Sequence, residues 1–192
     1  MAVADRPVAV LVEGESDREA VLALARRRAR DLPAVDVVAM GGVTNIARYV
    51  AELAASYRLV GLYDAGEERF VRAALERAGL TSGLDRAAPD LAAPDLAASG
   101  FHRCDRDLEE ELIRALGAQR VLEVVAAAGD LAHFRGLQQQ PAQRHRRLEE
   151  QLHRFFGSGS GRKIRYGRLL VDALPDDAVP APLERLLADA LA

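Results

Sequence analysis

The chain has 192 residues, 49% of them hydrophobic and 29% charged, which suits one good core, or a compact domain with an appendage, and excludes a disordered or collagen-like protein. No apolar stretch approaches the roughly 20 residues of a membrane span, the N-terminus is unlike a signal peptide, and the single Cys104 excludes an internal disulfide and a cysteine-built zinc site, so a cytoplasmic protein with no membrane partner is expected. A net charge of −3 gives no overall pull towards nucleic acid, so any phosphate binding must rest on local patches.

Val8 to Val12 is short, continuous and valine-rich, which predicts a buried parallel strand. A helix is expected from about Asp17 to Arg30, with Ser16 or Asp17 as its N-cap. The basic run RRRAR at 26 to 30 would then suit the negative end of that helix dipole. Val35 to Met40 reads as a second strand, GGVTN as a turn with Asn45 as a candidate cap, and Ile46 to Tyr57 as a helix. RLVGLYD predicts a third strand ending on Asp64, followed by a helix from Glu67 to Ala78 that stops at Gly79. The tandem AAPDL repeat beyond it reads as a low-complexity surface loop.

FHRC is an edge or fourth strand, and DLEEELIRALG a helix capped by Asp105 or Asp107 and stopped by Gly117. From there on only helices are expected: Arg120 to Ala128, Leu131 to Gln138, Gln143 to Phe156, Arg162 to Leu174 after a flexible GSGSG, and a short last one after Pro180 and Pro182. The prediction is an α/β protein, a compact doubly wound parallel sheet over residues 1–117, with an all-helical extension over 118–192. In such sheets ligands bind beyond the carboxyl ends of the strands.

Two acidic clusters fall at those ends. Glu13 closes the first strand, Asp17 starts the helix after it, and Asp64 closes the neighbouring strand. Three carboxylates converging there suit a hard divalent cation, Mg²⁺ or Mn²⁺. The competing reading is a helix cap at Asp17, a solvated Glu13, and an Asp64 that complements a helix dipole. Lys163 is the only lysine among 26 Lys and Arg, which points to a position where arginine will not serve.

LVEGESD followed by GLYDAGEE resembles the Toprim domain, the metal-binding module of topoisomerases, bacterial primases and several nucleases. Within it the pattern is most similar to the Toprim domain of the OLD (overcoming lysogenization defect) nucleases, over about residues 7 to 174. The resemblance implies a compact parallel α/β fold and puts Glu13, Asp17, Asp64, Glu109 in DLEEELI and Lys163 in GRKIRYGRLL at family positions. Glu110 or Glu111 remains an alternative to Glu109. It further implies two Mg²⁺ or Mn²⁺ ions held by the carboxylates, phosphodiester hydrolysis or nucleotidyl transfer on DNA, and Lys163 opposite the charge that develops on phosphate.

Two departures matter. The family's second aspartate of Asp-x-Asp is Gly66 here, with Glu67 or Glu68 as a substitute; Glu67 has a longer side chain able to reach back. No Walker A phosphate loop occurs, so ATP hydrolysis is expected, if at all, from a separate ATPase chain. A homodimer is left open. Arg162, Arg165 and Arg168 around Lys163 are candidate nucleic-acid contacts, against the reading of solvated helix-start arginines. RHRRLEEQLHR reads more as surface ion pairs than as a DNA contact. The four histidines share no ligand spacing; His102, near the acidic helix, is the one to follow. The alternative function is a catalytically weakened Toprim-fold subunit that docks a partner in a DNA-processing complex.

Overall fold

The computed structural model describes residues 6–28, 34–81, 96–159 and 161–192. Four strands, β1 (Val8–Val12), β2 (Val35–Ala39), β3 (Arg58–Asp64) and β4 (Phe101–Cys104), form one parallel sheet in the order β2-β1-β3-β4. Between them run α1 (Glu15–Arg27), α2 (Ile46–Leu53) and α3 (Glu68–Arg77). After β4 come α4 (Leu108–Leu116), α5 (Ala118–Ala127), α6 (Leu131–Gln138), α7 (Leu148–Phe156), α8 (Arg162–Ala173) and α9 (Ala181–Leu191). None of the described helices is long and apolar enough to cross a membrane.

The two faces of the sheet follow from the two-residue period of a strand. Along β1, Val8, Val10 and Val12 join one apolar cluster while Ala9 and Leu11 join the other. β3 splits the same way, with Val60 and Leu62 on the first face and Leu59 and Tyr63 on the second. Buried on both faces, the central strands need no polar alternation, which is why they read as continuous apolar runs. The second face is covered by Ile46 and Val50 of α2 and by Val71, Ala74 and Leu75 of α3.

The first face is larger and holds more than α1. Ala20, Val21 and Leu24 share one continuous core with Leu152, Phe155 and Phe156 of α7, Tyr166 and Leu170 of α8, and Leu183 and Leu186 of α9. Phe156 stacks on Tyr166 at 4.6 Å between ring centroids. The segment read as a helical extension therefore packs into the same core as the sheet. Arg27 and Arg28 act here as tertiary clamps: Arg27 donates to Val171 O at 2.5 Å and pairs with Asp176 at 2.7 Å, and Arg28 pairs with Glu184 at 3.0 Å.

Several boundaries move. α1 begins two residues before the expected start: its N-cap is Gly14 in extended conformation, and Asp17 sits at N3, where its Oδ2 accepts the Gly14 N–H at 3.0 Å. α2 ends at Leu53 and α7 starts at Leu148, both shorter than their periodicity suggests. Asn45 flanks α2, but its amide donates to Met40 O and Gly41 O and caps no helical N–H. The last residues of the RRRAR run, the first nine residues of the AAPDL repeat and Ser160 of GSGSG lie outside the described residues.

Candidate metal centre

The chain leaves β1 for β2 on one side, while β3 lies on the other side of β1 and leads on to β4. That reversal opens a crevice beyond the carboxyl ends of β1 and β3, the usual place for a ligand in a doubly wound sheet. Glu13 follows β1, Asp64 ends β3, and Glu67 closes the single 3₁₀ turn that leads into α3. One carboxylate oxygen from each of Glu13, Asp64 and Glu67 lies within 4.8 Å of the other two. Three like charges this close repel one another unless protonated or neutralised.

Burial and this repulsion act on the same groups. Asp64, half-buried, has its pKa pushed up to about 8 by loss of solvent and then by the charges of Asp107, Asp17, Glu13 and Glu67. Glu67 is raised too, by burial first and by Glu13 and Asp17 after it. Its Oε2 is buried and has no hydrogen-bond partner among the described residues. An orphaned buried carboxylate oxygen is costly, and its side chain lies beside two more acids.

Those residues fit a divalent cation. The donors are all hard oxygen atoms, and opposite oxygens on a Mg²⁺ stand about 4.2 Å apart, twice its ~2.1 Å bond. The three are thus within ligating reach after a slight closure. Gly66, at the place of the missing second aspartate, is exposed and contributes no side chain, while Glu67 one residue later brings its carboxylate back to Glu13 and Asp64.

A second group lies beside the first. Glu109, buried in the first turn of α4, receives the Lys163 ammonium at 3.2 Å from the start of α8. Burial raises the Glu109 pKa to about 7 against the opposing pull of Lys163. Lys163 gains more from Glu109 and Asp17 than it loses by desolvation, so its own pKa rises. Asp17 is 8% exposed, and burial raises its pKa although Lys163 and the Gly14 N–H hold it down. Of the acids expected to share a site, the structure thus joins Glu13, Asp64 and Glu67 directly. Asp17 and Glu109 are placed with Lys163. Glu110 and Glu111 turn to Arg114 instead.

Asp107 is the member that motif reading missed as anything but a cap. Its Oδ1 accepts the Glu110 N–H at 2.8 Å and its Oδ2 meets His153 Nε2 of α7 at 2.5 Å. Burial opposes its charge, but the His153 contact and the Glu110 N–H outweigh that, and its pKa is lowered. It is also the largest single charge acting on Asp64. The signal available was its place, just past the fourth strand and two residues before Glu109.

The arginines around Lys163 are already engaged. Arg162 lies over the Phe155 ring at 4.2 Å and donates to Phe155 O and Ser158 Oγ. Arg165 pairs with Asp130 at 3.0 Å, where Tyr166 also donates, and Arg168 pairs with Asp172 at 3.4 Å. His102 is buried against Asp189 at 2.8 Å, on the α9 side of β4, and belongs to neither acidic group.

This parallel sheet with its acidic crevice and helical C-terminal part is a Toprim-like α/β fold. More narrowly, it is the fold of the C-terminal regions of OLD proteins. The Xanthomonas campestris pv. campestris OLD region, in its platinum-phased structure, matches at TM-score 0.70 and 25% identity over 95% of this chain and 91% of that one. The Burkholderia pseudomallei OLD region matches at TM-score 0.65 and 19% identity, covering 97% and 99%. No family model matches the chain, and no curated protein matches it in sequence.

Proposed function

We propose that this protein is a divalent-metal-dependent nuclease or nucleotidyl transferase acting on DNA phosphodiesters. The observation that carries the reading is the convergence of Glu13, Asp64 and Glu67 at the crevice, with Glu67 Oε2 buried and unpartnered among the described residues. Two bound Mg²⁺ or Mn²⁺ ions would supply charge neutralisation of the phosphate and a nucleophile at neutral pH. Glu13, Asp64 and Glu67 would hold one ion, and Asp17 and Glu109, which lie beside Lys163, would serve the other. The Lys163 ammonium, fixed by Glu109, offers a compact charge to the phosphate oxygens as they gain negative charge.

The carboxylate that Glu67 returns to the cluster favours this reading over a weakened docking subunit, for which Gly66 is the only motivation. The test is nicking of supercoiled plasmid with Mg²⁺ or Mn²⁺. Wild type should nick, and Glu13→Ala and Lys163→Ala should not; equal nicking by all three would mean a contaminant and end the proposal.

A further inference from the structure

Two shallow depressions lie side by side where α4 meets α7, and Arg106, Glu150 and His153 line both. In the wider one the arginines are balanced: Arg114 pairs with Asp105 and Glu110, and Arg147 with Glu149. The smaller one, about 350 Å³, is lined by Arg106, Arg146 and Arg154 against the single acid Glu150. Among the described residues Arg154 makes no ion pair, and Arg146 uses only its Nε, on the Ala142 carbonyl. Arg106 comes no closer to an acid than 4.0 Å, to Asp107, with a side chain 60% exposed. Three guanidinium groups with no more than one long ion pair among the described residues, gathered around one hollow on a chain of net charge −3, call for an anion.

The hollow also has an address. His153 is one of its walls, and the same imidazole meets Asp107 on the side of the acidic crevice. A polyanion in the hollow is therefore one side chain away from Asp107, the strongest charge acting on Asp64. We infer that Arg106, Arg146 and Arg154 form the backbone-binding subsite for the nucleic acid that enters the crevice, each guanidinium taking a phosphate further along the strand from the one being attacked. This rests on the nuclease reading and changes where the strand runs. It passes over the end of α7, whereas the guanidinium groups of α8 are held by Phe155, Asp130 and Asp172.

The test is fluorescence anisotropy of a labelled DNA duplex in EDTA, with no cleavage, across a salt series. Each phosphate contact contributes about 0.9 to the slope of log K against log salt. Arg146→Ala/Arg154→Ala should flatten that slope by about 2 and weaken binding at least about ten-fold at 0.1 M salt. Arg146→Lys/Arg154→Lys should restore most of the slope. Arg48→Ala on α2, whose partner is Glu52 of the same helix, should leave it unchanged. Wild-type binding that the double alanine variant leaves intact overturns this inference alone. Failure of the wild type to bind DNA at all overturns it as well, while the nuclease reading is decided separately by the plasmid-nicking test.

Discussion

Lys163 Nζ stands 3.2 Å from Glu109 Oε2, an ammonium 45% exposed on a carboxylate 6% exposed. The pair is asymmetric: the acid is buried, and its charge is supported by a cation that keeps one side open to solvent. Removing the lysine leaves a buried acid with no partner, which then takes up a proton. Lys163→Ala should lower nicking by about 10²-fold or more, in line with loss of one group aimed at developing charge. Calorimetric Mn²⁺ binding at Glu13, Asp64 and Glu67 should persist. Lys163→Arg should recover only part of the rate, since a planar guanidinium does not place its charge as closely. Full activity in the arginine variant would contradict the role given to the ammonium.

Asp64→Asn should separate stability from function. The carboxylate is half-buried among like charges, with its pKa pushed up to about 8, so the amide relieves repulsion in the metal-free protein. The Tm measured in EDTA at pH 8 should rise, and the heat of Mn²⁺ binding should vanish. A lower Tm with Mn²⁺ binding retained would mean that Asp64 is no ligand.

The pH dependence has a definite sign. Asp64 at about 8 and Glu109 at about 7 both lie above their ordinary values of 3.8 and 4.5. Between those limits the folded state binds more protons than the unfolded, so the metal-free protein loses stability as pH rises. Its Tm should fall steadily from pH 5.5 to 8.5. Mn²⁺ competes with those protons and should reverse the trend. At a hundred-fold excess over Kd it adds about 2.7 kcal/mol, or roughly 5–10 °C for a chain of this size. Differential scanning fluorimetry with and without EDTA reads both slopes, and a flat metal-free profile would refute the raised values.

Gly167 lets α8 touch the backbone of α1. A Cβ there would fall 2.6 Å from the carbonyl oxygen of Ser16, a rigid neighbour that cannot step aside. Gly167→Ala should cost about 1–3 kcal/mol in urea unfolding and lower nicking as well, because Lys163 lies one turn earlier on the displaced helix. Gly136, exposed in α6 with open space around its Cα, is the control. Gly136→Ala should stabilise the protein by up to about 1 kcal/mol through helix propensity alone.

The central strands and most helices could be read from the chain because each carries its own signal: valine runs buried on both faces, and caps or glycines at the ends. Glu13 and Asp64 were legible for a related reason, since a strand end fixes where its last side chain goes. Asp107 was not, because its partner His153 is 46 residues away and only tertiary packing joins them. The arginines after GSGSG looked free for the same reason. Asp130 and Phe155, which hold two of them, are distant in sequence or hidden in an apolar run. Position within an element is local information; pairing between elements is not.

Because Val10 and Val12 of the first strand lie in one unbroken apolar mass with Phe156, Tyr166 and Leu186, no cut between sheet and later helices leaves two self-sufficient halves. A fragment ending at Gly117 would lose the packing of α7, α8 and α9 on the first face of the sheet, together with Lys163, and would not be a minimal catalytic version of the protein. Melting should be a single calorimetric event, in which the carboxylates of the crevice and the ammonium opposite them disband at once.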